Sequence, residues 1–437
     1  MSTLMSRMGE VEVEATRDPI KDMHNMYEAE IAQLELDADM ELYEVSLKYV
    51  EDLETQSDII AASIEADGTG LTPEAVTFAQ VQFKSIMTGL DTKENASKLT
   101  DELFGGFKDM DPDDSPRLTS ELLGGVGEAL SKLWKFLREL LGKIWDGIVG
   151  LFKKSEEGPS PKEVEKENNK KIKETDKKVE KVKKEKPEEI DPIEKSIKES
   201  KPYTKRVDTV LSMGIDISKL GVLYPILDNH IEVLLNNMKL LTNSDIYPTN
   251  NIEYMKNADQ MALLFEDMHK SLLNSKLDRL VTVSFMDYIL TTTIDKGEWQ
   301  GSKDYKVSFN IVSERNSKYK RTTNTIPLLS VKTMEKLNDE CGTILNSVDK
   351  NFRGVEGKAK SIKMDIDNLI KGFDSATGAG LAGRLTKTAS KLLLDMFRIL
   401  SRIIRIYVLE KTRLTQFRKE LVDTTLKTHT EIIMKHF

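Results

Sequence analysis

The chain predicts a mainly α fold: an elongated, multi-segment helical protein with a small β-hairpin in its C-terminal domain. Three observations predict it. Apolar residues return at intervals of three and four over most of the 437 residues, the period of a helix with one apolar face. Charged residues make up 31% of the chain and aromatics only 6%, a composition sparing in the large side chains that strands draw on. The third observation is the stretch from Ser120 to Lys154, in which Leu130, Leu133, Trp134, Leu137, Leu141, Ile144, Trp145, Ile148 and Phe152 share one face and Lys132, Lys135, Arg138, Glu139, Lys143 and Asp146 the other.

In chain order, residues 1–21 are polar and read as disordered. They hold no apolar core of a signal peptide, so none is expected. Residues 22–104 read as an acidic helical unit. Asp67-Gly68-Thr69-Gly70 interrupts it with turn chemistry, and Thr72-Pro73 restarts a helix as N-cap and first helical residue. Residues 119–154 form the amphipathic, tryptophan-bearing helix. Its wide apolar arc has three readings: a helix lying in a membrane interface, a helix clamped against partner helices, or the buried helix of an ordinary bundle. Its charges recur on every turn, so it cannot cross a bilayer alone.

Residues 155–202 are mostly Lys and Glu with five prolines, and read as a disordered linker with a transient helix over Lys170–Lys186. Residues 203–437 form a helical C-terminal domain. Within it, Val281–Phe285 and Tyr305–Ile311 alternate apolar and polar residues, which predicts a hairpin over about 281–312. Helices are expected over Lys219–Leu241, Asn251–Leu273, Ser330–Val348 and Val355–Phe373. One long helix or two follow from Leu385 to Lys435, after a Gly/Ala hinge at Ala376–Gly383.

Charge is unevenly spread along the chain. Residues 1–118 hold 27 acids and 9 bases, while residues 381–437 hold 12 bases and 5 acids, against an overall net of −9. The basic C-terminal stretch makes Lys391, Arg398, Arg402, Arg405, Lys411, Arg413 and Arg418 candidates for nonspecific contacts with DNA phosphates.

No catalytic constellation is visible. The five histidines have no metal-binding spacing, Cys341 has no partner for an internal disulfide, and Gly378–Gly383 spells GxGxxG without the preceding strand a dinucleotide site requires. The expectation is a non-enzymatic protein with no cofactor and no metal.

The order of parts carries a resemblance. An acidic helical front (LKYVEDLETQSDIIAASIEADGTGLTPEAVTFAQVQFKSI) is followed by the tryptophan helix (LSKLWKFLRELLGKIWDGIVGLFKK), a Lys/Glu spacer and a larger helical region. This arrangement resembles the internal head (inner-capsid) virion structural proteins of large contractile-tailed bacteriophages. The resemblance implies a place inside the capsid, reached from the host cytoplasm during assembly. It implies a role in assembly or genome packing, and ejection with the DNA. The implied partners are the capsid shell or other inner-head proteins, packaged DNA and the phage prohead protease, with the protein present in many copies. That protease cuts after a glutamate preceded two residues earlier by a small or aliphatic residue, which makes Glu65 and Glu157 candidate processing sites. A cut after Glu157 would remove an acidic mask from a product with a net charge near +9. The alternative is a membrane-active protein acting on a membrane surface through the 119–154 helix.

Overall fold

A computed structural model describes residues 31–55, 115–154, 161–200, 203–212, 220–241, 280–283, 288–295, 308–315, 328–375 and 381–435, with a few single positions between them. It is mainly α. Helix α1 covers residues 31–55, α2 Ser115–Lys154, α3 Pro161–Glu185, α4 Ile190–Glu199, α5 Lys205–Ser212, α6 Leu220–Leu241, α7 Val331–Ser375 and α8 Leu381–Lys435.

Helix α8 is the mast. Its 55 residues span about 80 Å at 1.5 Å per residue. The sequence left one helix or two open here, and the chain forms one. Helix α7 corrects an expectation. The two helices expected on either side of residues 349–354 are a single helix of 45 residues. Asn351 and Gly354 weaken the pattern locally, but Phe352, Val355 and Ala359 keep the buried stripe in register across them, and burial outweighs local propensity.

Among the described residues one main core runs along this mast, built chiefly from α1, α2, α6, α7 and α8, with Ile172 of α3 and Val207 and Val210 of α5 joining it. Phe152 of α2 lies 5.1 Å from Phe352 of α7, and Phe352 stacks on Tyr407 of α8 at 4.4 Å. Tyr407 in turn meets Tyr224 of α6 edge-on at 5.3 Å. The Tyr407 hydroxyl donates to the Val348 carbonyl at 2.8 Å, so this buried ring has its polar end satisfied. Pro225 lies inside α6, one turn in, and withholds the N–H that would otherwise bond the Gly221 carbonyl.

The Lys/Glu segment is not a disordered linker where it is described. It forms α3, a 3-10 turn at Pro187–Glu189 and α4. Its few non-charged residues explain this. Val164, Asn168, Ile172, Thr175 and Val182 recur at helical spacing and are buried. Composition suggested disorder because one narrow stripe is enough when a long partner helix supplies the rest of the core. A second, smaller core closes the far end, with Val182, Ile193, Leu328, Ile432 and Ile433 packed together. There Leu329 N donates to the Tyr203 hydroxyl at 2.6 Å, and His429 Nε2 contacts the Leu329 carbonyl at 2.8 Å. Burial lowers the His429 pKa, so its ring is neutral and donates that bond.

The strand region is also corrected. Three strands, β1 Leu280–Val283, β2 Tyr288–Asp295 and β3 Ser308–Arg315, run antiparallel in that order. The two segments expected to pair with each other are held apart by β2, with Leu290 opposite both Thr282 and Ser313. The sequence YILTTTID is rich in β-branched residues but does not alternate strictly, so it was not read as a strand.

Candidate interaction surfaces

Of the three readings of the tryptophan helix, the structure shows its nine-residue apolar face turned into the protein's own core. Leu133, Leu137, Leu141, Ile144, Ile148 and Phe152 are fully buried, Trp134 and Trp145 are 3% and 1% exposed, and Leu130 is half-buried against the same core. Trp145 packs on Phe397 of α8 with ring centroids 5.2 Å apart. The helix therefore docks on its own chain, and the face that a membrane reading requires is occupied. No described helix is long and apolar enough to cross a membrane.

Part of that cover comes from the acidic helix α1. Leu36, Met40, Tyr43, Leu47, Val50 and Leu53 are spaced three and four apart and all buried in the main core. Leu36 Cδ1 would lie 3.0 Å from a Cβ at Gly147 of α2, so the absence of a side chain there lets α1 approach closely. Ile31 and Leu34 are exposed, so the buried stripe is narrower than the apolar pattern of the region.

The polar side of α1 meets α8 and α2. Arg398 Nη2 is 2.6 Å from Glu44 Oε2, Lys391 Nζ is 2.6 Å from Glu51 Oε1, and Lys143 Nζ is 2.8 Å from Asp39 Oδ1. Gln33 reaches Ser401 Oγ at 3.3 Å. Asp395 sits within this latch, and burial pushes its pKa up to about 7. Arg398 and Lys391 oppose that rise while Glu44 adds to it.

The seven C-terminal cations therefore do not form one outward patch. Lys391 and Arg398 hold α1. Lys411 pairs with Asp349 of α7, and Arg413 Nη1 lies 2.8 Å from Glu410 on its own helix. Arg402 and Arg405 are half-buried. Arg418 is fully buried. Sequence gives the charge of a helix but not the acids its neighbours bring.

Arg418 organises a polar junction that the sequence reading missed. Its Nε donates to Asn338 Oδ1 of α7 at 2.9 Å, and Asn168 Nδ2 of α3 donates to the same oxygen at 2.9 Å. Asn346 Nδ2 reaches Glu165 Oε2 at 3.2 Å, a second link between α3 and α7. Burial lowers the Arg418 pKa, and the nearby Cys341, Glu165 and Asp339 act against that. A Cβ at Gly342 would stand 2.8 Å from Arg418 Nη2, so glycine makes room for the guanidinium. Beside the junction, burial pushes the Cys341 thiol up to about 12, which keeps it neutral and unreactive near neutral pH. The one sequence signal for this junction was two asparagines on otherwise apolar stripes.

No group of His, Cys, Asp and Glu among the described residues could hold a metal ion. A shallow cleft of about 320 Å³ between α3 and α8 is lined by Lys171, Lys178, Lys427, Glu174, Asp423 and Glu431, with Lys171 Nζ bound to Asp423 Oδ1 at 2.8 Å. Both processing candidates, Glu65 and Glu157, lie outside the described residues.

Among the described residues, the chain thus presents a helical core with the acidic helix α1 folded into it. Residues 10–190 match the family model of phiKZ-like phage internal head proteins. The match supports a likeness to the internal head proteins of large phages over those residues, less than half of the chain. It places the protein in the virion, inside the capsid, and suggests a structural rather than an enzymatic role there. The matched segment takes in α1, α2 and α3 and stops at the start of α4, so the long helices α7 and α8 lie beyond it. No curated protein and no solved structure shows a match to the chain.

Proposed function

We propose that this internal head protein is a non-enzymatic structural component that acts in capsid assembly or genome packing, in many copies, against the capsid shell or other inner-head proteins. The observation that carries this reading is the match over residues 10–190. The described helices pack along α8 around one extended core, a build that suits a structural component.

Processing after Glu65 would have a particular consequence in this fold. It would sever α1 from α2, yet six buried apolar side chains and the pairs to Arg398, Lys391 and Lys143 would keep α1 in place. Helix α1 is thus a latched part of the core, and a cut after Glu65 alone would leave it on α8.

Mass spectrometry of purified particles tests the reading. The expected result is this polypeptide in intact virions, shielded from added protease until the capsid is opened. Its absence from purified particles would sink the proposal. The mature N-terminus read in the same experiment decides whether Glu65 or Glu157 is cut, and its recovery from emptied capsids decides whether it leaves with the DNA.

A further inference from the structure

Helix α3 buries a stripe of Val164, Asn168, Ile172, Thr175 and Val182. At about 100° per residue, five lysines, Lys166, Lys170, Lys173, Lys177 and Lys184, fall within about 35° of the line opposite that stripe, and no acid does. All five are exposed. From Lys166 to Lys184 this crest runs about 27 Å at 1.5 Å per residue. The acids of the helix lie off that line: Glu163 and Glu180 come nearest, about 50° to either side of it, with Glu167, Glu174 and Glu185 further round one flank and Glu165 and Asp176 round the other. Lys171 is on a flank too, and it is tied to Glu167 and Asp423.

We propose that this lysine crest of α3 is a sequence-independent docking surface for the phosphate backbone of double-stranded DNA. The choice of DNA rests on the reading that the protein works inside the head, where the packaged genome is the dominant polyanion. The surface itself rests on three features of the fold. The crest is uniform in sign along its line. It points away from the core because the Asn168–Asn338–Arg418 junction and the buried stripe fix the roll of the helix. No acid of another described helix pairs with its five ammonium groups, in contrast to the α8 cations held by Glu44, Glu51 and Asp349. A basic amphipathic helix can also lie on an anionic membrane, but that mode requires its apolar side to be free, and here the fold covers it. Lysines along one line give charge and reach without reading bases, which suits backbone contact.

The test uses the full-length protein and a mixed-sequence duplex of about one to two helical turns per binding site, followed by fluorescence anisotropy over a salt series. One variant carries Lys170→Gln, Lys173→Gln, Lys177→Gln and Lys184→Gln. A charge-matched control carries Lys48→Gln, Lys135→Gln, Lys350→Gln and Arg353→Gln, which are exposed positions on α1, α2 and α7. Circular dichroism checks that both keep the helical content of the parent. The expected result is binding roughly tenfold or more weaker for the crest variant, with the slope of log K against log salt flatter by about 3 to 4, while the control stays near the parent. Equal losses in the two variants would show a general charge effect and overturn the crest. So would no binding by the parent at low salt, or equally tight binding to polyglutamate, which would assign the surface to an acidic protein. These outcomes are independent of whether the protein is found in virions, so failure of the crest and failure of the head-interior reading are told apart.

Discussion

Helices α3 and α8 are both rich in lysine or arginine, yet they use those charges in opposite ways. Helix α8 runs through the centre of the fold. Its cations meet acids from α1 and α7 or, in Arg418, are buried entirely. Helix α3 lies on the outside and buries only a thin stripe, so its lysines remain on the far side from the core. Charge count alone made α8 the better candidate for a polyanion surface. The contrast teaches that a basic helix is available to a partner only to the extent that its own neighbours leave it so.

That contrast can be broken or sharpened by measurement. The largest effect is expected where α8 is anchored: Trp145→Ala, which empties the contact with Phe397, should cost about 3–5 kcal/mol in urea unfolding. A loss below about 1 kcal/mol would mean that the tryptophan face is not sealed against α8. Next comes Arg418→Met, which keeps the bulk but removes the donor to Asn338; a loss of about 2–4 kcal/mol is expected from the same titration. No measurable change would show that the junction holds nothing.

Asp395→Asn tests the latch through pH. The folded pKa of Asp395 is raised to about 7, so the folded state binds its proton more readily than the unfolded chain does. The parent therefore loses stability from this group as pH rises from about 4 to 7, and the loss is complete above that range. The variant should be more stable than the parent at pH 8, by about 1 kcal/mol or more. The gain should shrink towards zero near pH 4, and a gain independent of pH would refute the assignment. Arg398→Gln should cost only about 0.2–1 kcal/mol, because its pair with Glu44 is partly exposed, and less at high salt. Smallest of all, Lys173→Gln on the crest should change stability by no more than about 0.5 kcal/mol. A larger loss would mean that the crest is structural.

Much of the fold was legible. The apolar periods of Ser120–Lys154 and Leu385–Lys435 announced the helices that became α2 and α8, because a stripe of ten or more residues leaves little ambiguity about period. Helix α3 was legible only as a transient helix over Lys170–Lys186 and not as a packed one, since its stripe includes Asn168 and Thr175 in place of apolar residues and is diluted by lysine and glutamate. The merging of two expected helices into α7, and the entry of β2 between two expected partners, were missed for a related reason. Local signals at Asn351 and Gly354, and in Tyr288–Asp295, were weaker than the packing that decided them. Of the candidate surfaces, the helical faces were legible but their surroundings were not: the tryptophan face is sealed in the core, Arg418 is buried, and Lys391, Arg398 and Lys411 are paired with acids of neighbouring helices.

By itself the sequence determined the strongly periodic helices such as α2 and α8, where acid and base concentrate along the chain, and the likeness to phage internal head proteins, because periodicity, net charge and motif order are properties of a linear string. Only the tertiary structure decided which faces remain open to a partner. An apolar arc or a row of cations is satisfied by whatever lies within a few ångströms of it, and those neighbours, Glu44 beside Arg398 or Asn338 beside Arg418, come from tens to hundreds of residues away.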